Sequence, residues 1–320
     1  MTESSQLIEK NKAITVKKIR DLVIEPAEKG RPSYVYAASG LVILGQTLYI
    51  VADDEMQLAS FELGNNKSGT WIPLLPGSLP LNYEERKAKK PDLEAITFIR
   101  PYEYSENGAM LIVPSFSRTL RMTGALVAVN SQSKLSSEVI PVDFSVLGKS
   151  LVQSIDGLNV EGIAISENYV KMFHRGSRKK GKSAVIELDR KMFLKDLHDT
   201  HQPSGECIKK ITRYELGEIE GTRFEFTDAQ ALSDERVAFL CTAEAADDEY
   251  VDGASLGSCV GIMSGAGELQ MIVPISGHEK FEGISAKYIG DKRKELSIIL
   301  VADTDDQSRP SAVFEGVLAI

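Results

Sequence analysis

Cysteine is scarce in this chain. Cys207, Cys241 and Cys259 are odd in number and no two stand at the short spacing of a metal knuckle, so a disulfide framework and a cysteine-based zinc site are both excluded. Basic charge is in deficit too: 37 Lys and Arg against 46 Asp and Glu leave a formal charge of −9. That balance argues against nucleic acid or an anionic membrane as a partner. Long apolar runs are missing as well. The opening stretch "MTESSQLIEKNKAITVKKIRDLVIE" has no signal-peptide core, and nothing downstream reaches the length of a transmembrane helix, so the reading is a cytoplasmic protein. What is present is ordinary globular material, 42% hydrophobic and 26% charged over 320 residues, enough to bury a core without staples.

One pattern recurs. "NVEGIAIS" places Glu161 inside what otherwise reads as the start of an apolar strand, and an isolated carboxylate there must find water, a donor or a cation. The same arrangement returns as "DLEAITFI" around Glu94, "FTDAQALS" around Asp228 and "KFEGISAK" around Glu282, with an echo, "AASGLVIL", that carries Ser39. Subtracting positions gives spacings of 55, 67, 67 and 54 residues. After each key residue comes a second apolar segment ("TLYIVADD", "AMLIVPSF", "YVKMFHRG", "VAFLCTAE", "LSIILVADTD"), a polar loop and a third strand-like run. A fourth run follows in every repeat but the last, which stops at Ile320.

Repeats of four short strands, rich in β-branched residues and punctuated by Gly, Asn, Asp and Pro, predict an all-β, five-bladed β-propeller filling residues 1–320 as one domain. The last blade lacks its outer strand. The alternating segment at residues 14–25, "ITVKKIRDLVIE", is expected to supply it and close the ring. A short helix is expected over residues 191–202.

In a propeller the first strand of each blade lines the central channel, so Ser39, Glu94, Glu161, Asp228 and Glu282 are expected to converge at one mouth of the axis. Carboxylates crowded in this way repel one another unless a cation neutralises them. An oxygen-only, highly charged donor set suits a hard ion, Ca²⁺ before Mg²⁺. The alternative is that backbone amides and channel water satisfy these acids.

The order Ser, Glu, Glu, variable, Glu over five blades resembles the calcium-activated nucleotidases, or apyrases. The first blade, "SGLVILGQTLYIVADDEMQLASFEL", is similar to theirs, and "KFEGISA" resembles their Lys-aromatic-Glu-Gly-Ile element. The chain also resembles bacterial propellers of unassigned function. The nucleotidase resemblance implies one central calcium with Ser39, Glu94, Glu161 and Glu282 among its ligands, while Asp228 departs from the pattern where that family tends to have Ser.

Strand direction places the loops between second and third strands on the same face. They carry Asp53, Asp54 and Glu55; Arg118 and Arg121; His174, Arg175, Arg178, Lys179 and Lys180; Glu244, Asp247, Asp248 and Asp252; and Asp303 and Asp305. Guanidinium groups there can hold phosphate oxygens while a carboxylate orients water. The expectation is a hydrolase of a phosphate-containing small molecule in which Arg118 and Arg175 bind the anion, Asp54 or Asp303 positions water and His174 donates a proton. The competing expectation is a non-catalytic propeller that binds a ligand or a protein partner and keeps a structural cation.

Other motifs weigh less. "GSRKKGKS", residues 176–183, spells a phosphate loop, but the strand-like "SAVIELD" follows where a helix is required. "GASLG", residues 253–257, lacks the strand-to-helix context of a nucleophile elbow around Ser255. His198 and His201 have no further ligand nearby, and the lone Trp71 reads as packing on an outer strand.

Overall fold

The computed structural model of the protein describes residues 13–25, 30–176, 181–245, 255–304 and 306–320. Its strands form five four-stranded antiparallel blades. The first strand of the chain, β1 (Lys17–Asp21), belongs to the last blade. Blade 1 is β2 (Ala38–Leu44), β3 (Thr47–Ala52), β4 (Gln57–Glu62) and β5 (Thr70–Pro73). Blade 2 is β6 (Leu93–Ile99), β7 (Ala109–Pro114), β8 (Thr123–Val129) and β9 (Leu135–Asp143). Blade 3 is β10 (Val160–Ile165), β11 (Val170–His174), β12 (Ala184–Leu188) and β13 (Ile208–Arg213), followed by the small hairpin β14 (Glu218–Ile219) and β15 (Thr222–Arg223). Blade 4 is β16 (Glu225–Ala231), β17 (Val237–Glu244), β18 (Ser255–Met263) and β19 (Leu269–Pro274), and blade 5 is β20 (Lys280–Tyr288), β21 (Glu295–Asp303) and β22 (Ala312–Ala319) with β1 outside it.

The burial gradient explains why these segments are strands in this order. Inner and middle strands such as β10 and β7 are buried at every residue, whereas outer strands such as β13 alternate toward solvent. Tight turns set the hairpins: Leu44 pairs with Thr47 across the two-residue turn of Gly45 and Gln46, and Gly45 takes the positive φ of 60° that such a turn needs. Apolar side chains gather into separate clusters, one at each contact between neighbouring blades, so the core is a ring of seams. In the seam between blades 3 and 4, Phe226 stands edge-on to both Phe173 and Phe239.

Ring closure follows the expectation. β1 pairs antiparallel with β22, Lys17 opposite Glu315 and Asp21 opposite Ala312. The flanking residues fasten the neighbours: Ile14 exchanges backbone hydrogen bonds with Pro274 and Ser276 at the edge of blade 4, and Gly69 of blade 1 donates to Val23. The expected helix is α3 (Arg190–Asp199), capped by Asp189, which accepts from the Met192 amide. It stops short of residue 202 because His201 takes a φ of 54°, outside the helical region. Two further helices, α1 (Tyr83–Lys89) and α2 (Ser145–Leu151), sit between blades and were not anticipated. Among the described residues no helix is long and apolar enough to cross a membrane.

Candidate cation centre at the axial mouth

Each inner strand begins with a β-bulge. The pairing register slips between Ala38 and Gly40, Leu93 and Ala95, Val160 and Gly162, Phe226 and Asp228, and Phe281 and Gly283. An extra residue at a bulge is released from the ladder and its side chain is re-aimed. The bulged residues are therefore Ser39, Glu94, Glu161, Thr227 and Glu282. Four are the residues expected from the repeat; in blade 4 the position belongs to Thr227, one residue before Asp228.

Asp228 has a different task. Its carboxylate accepts from the amides of Ala229 at 2.7 Å and Ile284 at 2.8 Å, stitching blade 4 to blade 5 with the side chain 1% exposed. Both carboxylate oxygens are thus engaged by backbone, and burial, which outweighs these amides, pushes the acid well above its usual range. Thr227 donates to the Phe281 carbonyl at 2.8 Å, leaving its oxygen lone pairs available.

The glutamates are poorly satisfied. Glu282 is 4% exposed; Oε1 is met by the Lys280 ammonium at 3.0 Å, and among the described residues no other group donates to either oxygen. Burial, opposed by Lys280 and Arg175, raises its pKa to about 7. Glu161 accepts from Asn159 Nδ2 at 2.5 Å and lies 3.7 Å from Arg175. Burial raises it to about 8 in spite of Arg175, with Glu282 adding to the rise. Glu94 is raised well above its usual range by burial and by the charges of Glu161, Asp92 and Asp53. Its carboxylate lies within 4.8 Å of those of Asp53 and Asp92.

Among the described residues four cations, Lys90, Arg121, Arg175 and Lys280, serve the acids of the mouth, and they are outnumbered. Lys90 pairs with Asp53 and, at 2.8 Å, with Asp92. Arg175 meets Glu244 at 2.5 Å, Glu225 at 3.5 Å and Glu161 at 3.7 Å. Lys280 reaches Glu282, and Glu244 and Asp303 at 3.6 Å each. Asp92 is the well-neutralised acid: burial disfavours its charge, yet Lys90, Arg121 at 2.7 Å and the hydroxyls of Ser115 and Ser117 hold it below the usual carboxylate range.

The residues expected to act on substrate are placed differently from one another. Asp54 is buried between the Tyr36 hydroxyl, which donates to it, and Arg86 Nε at 3.0 Å, so it anchors α1 through Arg86. His174 is 3% exposed with Nδ1 about the Asn159 backbone, 3.1 Å from N and 3.0 Å from O. Burial lowers its pKa to about 4, so the ring is neutral near neutral pH and holds Asn159, which in turn caps Glu161; a proton-donor role does not fit this placement. Arg175 is engaged by three carboxylates, which removes it as a ready anion site. Arg118 is exposed on the loop that also carries Arg121. Asp303 stands at the end of β21, opposite Lys280 in the register. Arg178, Lys179, Lys180, Asp247, Asp248, Asp252 and Asp305 lie outside the described residues, as do parts of the phosphate-loop and elbow spellings. A strand, β12, follows the first of these spellings. His198 stacks on Tyr104 with centroids 4.3 Å apart, and His201 Nδ1 meets the Leu197 carbonyl at 2.7 Å, so the two histidines have separate structural partners.

Lys90, Asp92, Asn159, Glu225 and the role of Lys280 escaped the sequence reading. A usable signal existed: the residue two before each bulge in blades 2 to 5 is Asp92, Asn159, Glu225 and Lys280, polar each time and at a spacing that keeps side chains on a shared face.

An ion at the axis fits this donor set. Among the described residues Asp53, Asp92 and Glu94 bring their carboxylates within 4.8 Å of one another, and Glu94, Glu161 and Glu282 each lie near enough to a neighbouring acid for its charge to raise their pKa, an all-oxygen donor set of the kind a hard cation takes.

Comparison with known proteins places the chain as follows. Residues 34–318 match the model of a family of unknown function (DUF6929). No curated protein matches the chain. Among solved structures it is similar to a putative glycoside hydrolase from Parabacteroides distasonis, at 11% identity over 94% of this chain and 96% of that one with a TM-score of 0.48. It is also similar to a mannose phosphorylase from Leishmania mexicana, at 12% identity over 93% and 88% with a TM-score of 0.47, and to a mutant α-L-arabinanase from Cellvibrio cellulosa, at 13% over 88% and 92% with a TM-score of 0.46. Likeness at this level says nothing about chemistry in this chain.

Proposed function

The chain belongs to this family of unknown function (DUF6929), and from its own site we propose that it is a divalent-cation-binding propeller that holds Ca²⁺, with Mg²⁺ second, at the axial mouth. Ser39, Glu94, Glu161, Thr227 and Glu282 would hold the ion. The carrying observation is Glu282, a carboxylate 4% exposed whose one neutralising contact among the described residues is the Lys280 ammonium, with its second oxygen unpartnered there. Burial still outweighs Lys280 and Arg175 and raises this acid to about 7, so a remaining cost of charge at Glu282 is what a bound divalent ion would offset. Calcium is favoured over magnesium because five side chains on five separate strands make an irregular cage, which calcium tolerates and octahedral magnesium does not. Thr227 supports the resemblance to calcium-activated nucleotidases: a hydroxyl now stands where that family tends to have Ser, and the acid at Asp228 is no longer an exception.

The finer reading is hydrolysis of a phosphate-containing small molecule at this face. The bound ion would supply charge stabilisation for developing phosphate oxygens. Among the described residues Arg118 is exposed on the rim where it would meet such an anion, and Asp303 is a carboxylate at the loop base beside the mouth. A second reading, ligand binding without turnover around a structural ion, is favoured by a specific observation: Arg175, Arg121 and Arg86 are each already engaged by carboxylates.

One experiment separates these. Thermal melts with calcium, magnesium or chelator are run beside a turnover screen of nucleoside di- and triphosphates and model phosphate esters. Calcium-dependent stabilisation with turnover supports the hydrolase, and stabilisation without turnover supports the structural ion. No response to any cation removes the ion altogether.

A further inference from the structure

Lys280 is built unlike a simple salt-bridge partner. It stands two residues before Glu282, the bulged residue of β20, and the two side chains meet at the same mouth. Its ammonium lies 3.0 Å from Glu282 Oε1, and among the described residues no other group donates to that acid. Two further carboxylates, Glu244 and Asp303, stand at 3.6 Å each, and Asp303 is its direct cross-strand neighbour in the register. The ammonium carries one charge on a flexible four-carbon stem, with three donors that can be redirected by rotating side-chain torsions. Its partners therefore include a close one inside the proposed ion cage and two slightly longer ones outside it.

We propose that Lys280 is a tethered counter-ion that occupies the charge deficit at Glu282 in the ion-free protein and hands Glu282 to the arriving divalent cation, moving its own charge onto Asp303 and Glu244. This rests on the axial-ion reading and adds to it the element that sets the threshold for loading. An ammonium within contact distance of a ligating carboxylate competes directly with the metal, and a divalent ion at the same distance is repelled by any ammonium that stays. Asp303 matters here only as the landing place of the displaced charge. The arrangement keeps the ion-free fold from carrying an unpaired buried carboxylate and makes cation binding weaker than the donor set alone would give.

The test is a double-mutant cycle read by calorimetric titration of the chelator-stripped full chain with calcium chloride. Lys280→Met keeps the length of the stem and removes the charge; it is expected to bind calcium at least about tenfold more tightly than the natural protein. Asp303→Asn is expected to bind about fivefold more weakly, because the displaced ammonium loses its acceptor. In the Lys280→Met background the same Asp303→Asn change is expected to fall below about twofold, since Asp303 then has nothing to receive. General electrostatics without a handover predicts additive effects; additivity, or a Lys280→Met protein that binds no more tightly, overturns the proposal while leaving the ion site in place. Absence of calcium binding by the natural protein overturns the ion site and the handover together. Melting curves check that each variant folds, and Lys280→Gln carries the same measurement if Lys280→Met does not.

Discussion

Removing a charge from the axial ring is expected to strengthen the metal-free fold, the reverse of what deleting a buried ionised residue normally does. Take Glu161→Gln. Burial chiefly, with Glu282 adding to it and Arg175 opposing it, moves this acid from an ordinary 4.5 to about 8. The folded state therefore holds a proton that the unfolded state gives up, so stability falls as pH rises through the window from 4.5 to about 8. Each pH unit inside that window costs about 1.4 kcal/mol, which makes the penalty on the order of 3 kcal/mol at pH 7 and under about 1 kcal/mol at pH 5. Gln is isosteric and uncharged, and Arg175 keeps Glu244 at 2.5 Å and Glu225 at 3.5 Å after the change. In chelator at pH 7 the variant should melt several degrees above the natural protein, and at pH 5 the two should nearly coincide. Added calcium should reverse the order, since a ligand that binds only the folded natural protein stabilises it by RT ln(1 + [L]/Kd). The assay is thermal denaturation at both pH values with chelator and with millimolar calcium. A variant less stable than the natural protein in chelator at pH 7, by as much as at pH 5, would show that Glu161 is already satisfied and would refute the argument from crowding.

Four further outcomes follow from particular contacts. Deleting residues 1–25 removes β1 and with it Leu22 and Ile24, 0% and 1% exposed; losing two such side chains costs about 3–6 kcal/mol before the exposed edge of β22 is counted, so the shortened chain should melt far lower and aggregate in light scattering. Gly261 faces Phe239 across β17 and β18, and a Cβ there would lie 2.1 Å from the ring; Gly261→Ala should cost about 1–3 kcal/mol in denaturant titration by displacing Phe239 from its edge-on contact with Phe226. Asp228→Asn should lose about 1–3 kcal/mol because an NH₂ group would then face one of the amides the carboxylate now accepts, while Thr227→Val should instead weaken calcium binding in calorimetry; the opposite allocation would return Asp228 to the ring.

The ring of blades was legible because each blade repeats one physical problem, a polar residue at the start of an apolar strand, and because a missing outer strand at the C-terminus demands one from the N-terminus. Four of the five bulged residues were legible for the same reason. Blade 4 was misread by one residue: charge was the alignment key, and Asp228 carries the charge while Thr227 carries the bulge. The aligned pairs Phe226–Thr227 and Phe281–Glu282 held the better key, an apolar residue immediately before the bulge. The polar residues at the preceding same-face positions, such as Lys280, went unread because a charged residue at a strand end is ordinarily solvated. His174 and Asp54 looked chemical by type, and only the fold reveals that Asn159 and Arg86 already occupy them. The helices α1 and α2 were invisible because each is seven residues long, too short for a periodic apolar face to declare itself.

The central claim is that oxygen atoms from five neighbouring blades share one divalent ion on the axis. The most direct measurement is elemental analysis of protein purified without chelator, combined with anomalous diffraction from its crystals. The account predicts close to one calcium per chain and a single anomalous peak bounded by Ser39, Glu94, Glu161, Thr227 and Glu282. Protein that carries no stoichiometric metal, takes up none from millimolar calcium and shows only water among those side chains would contradict it.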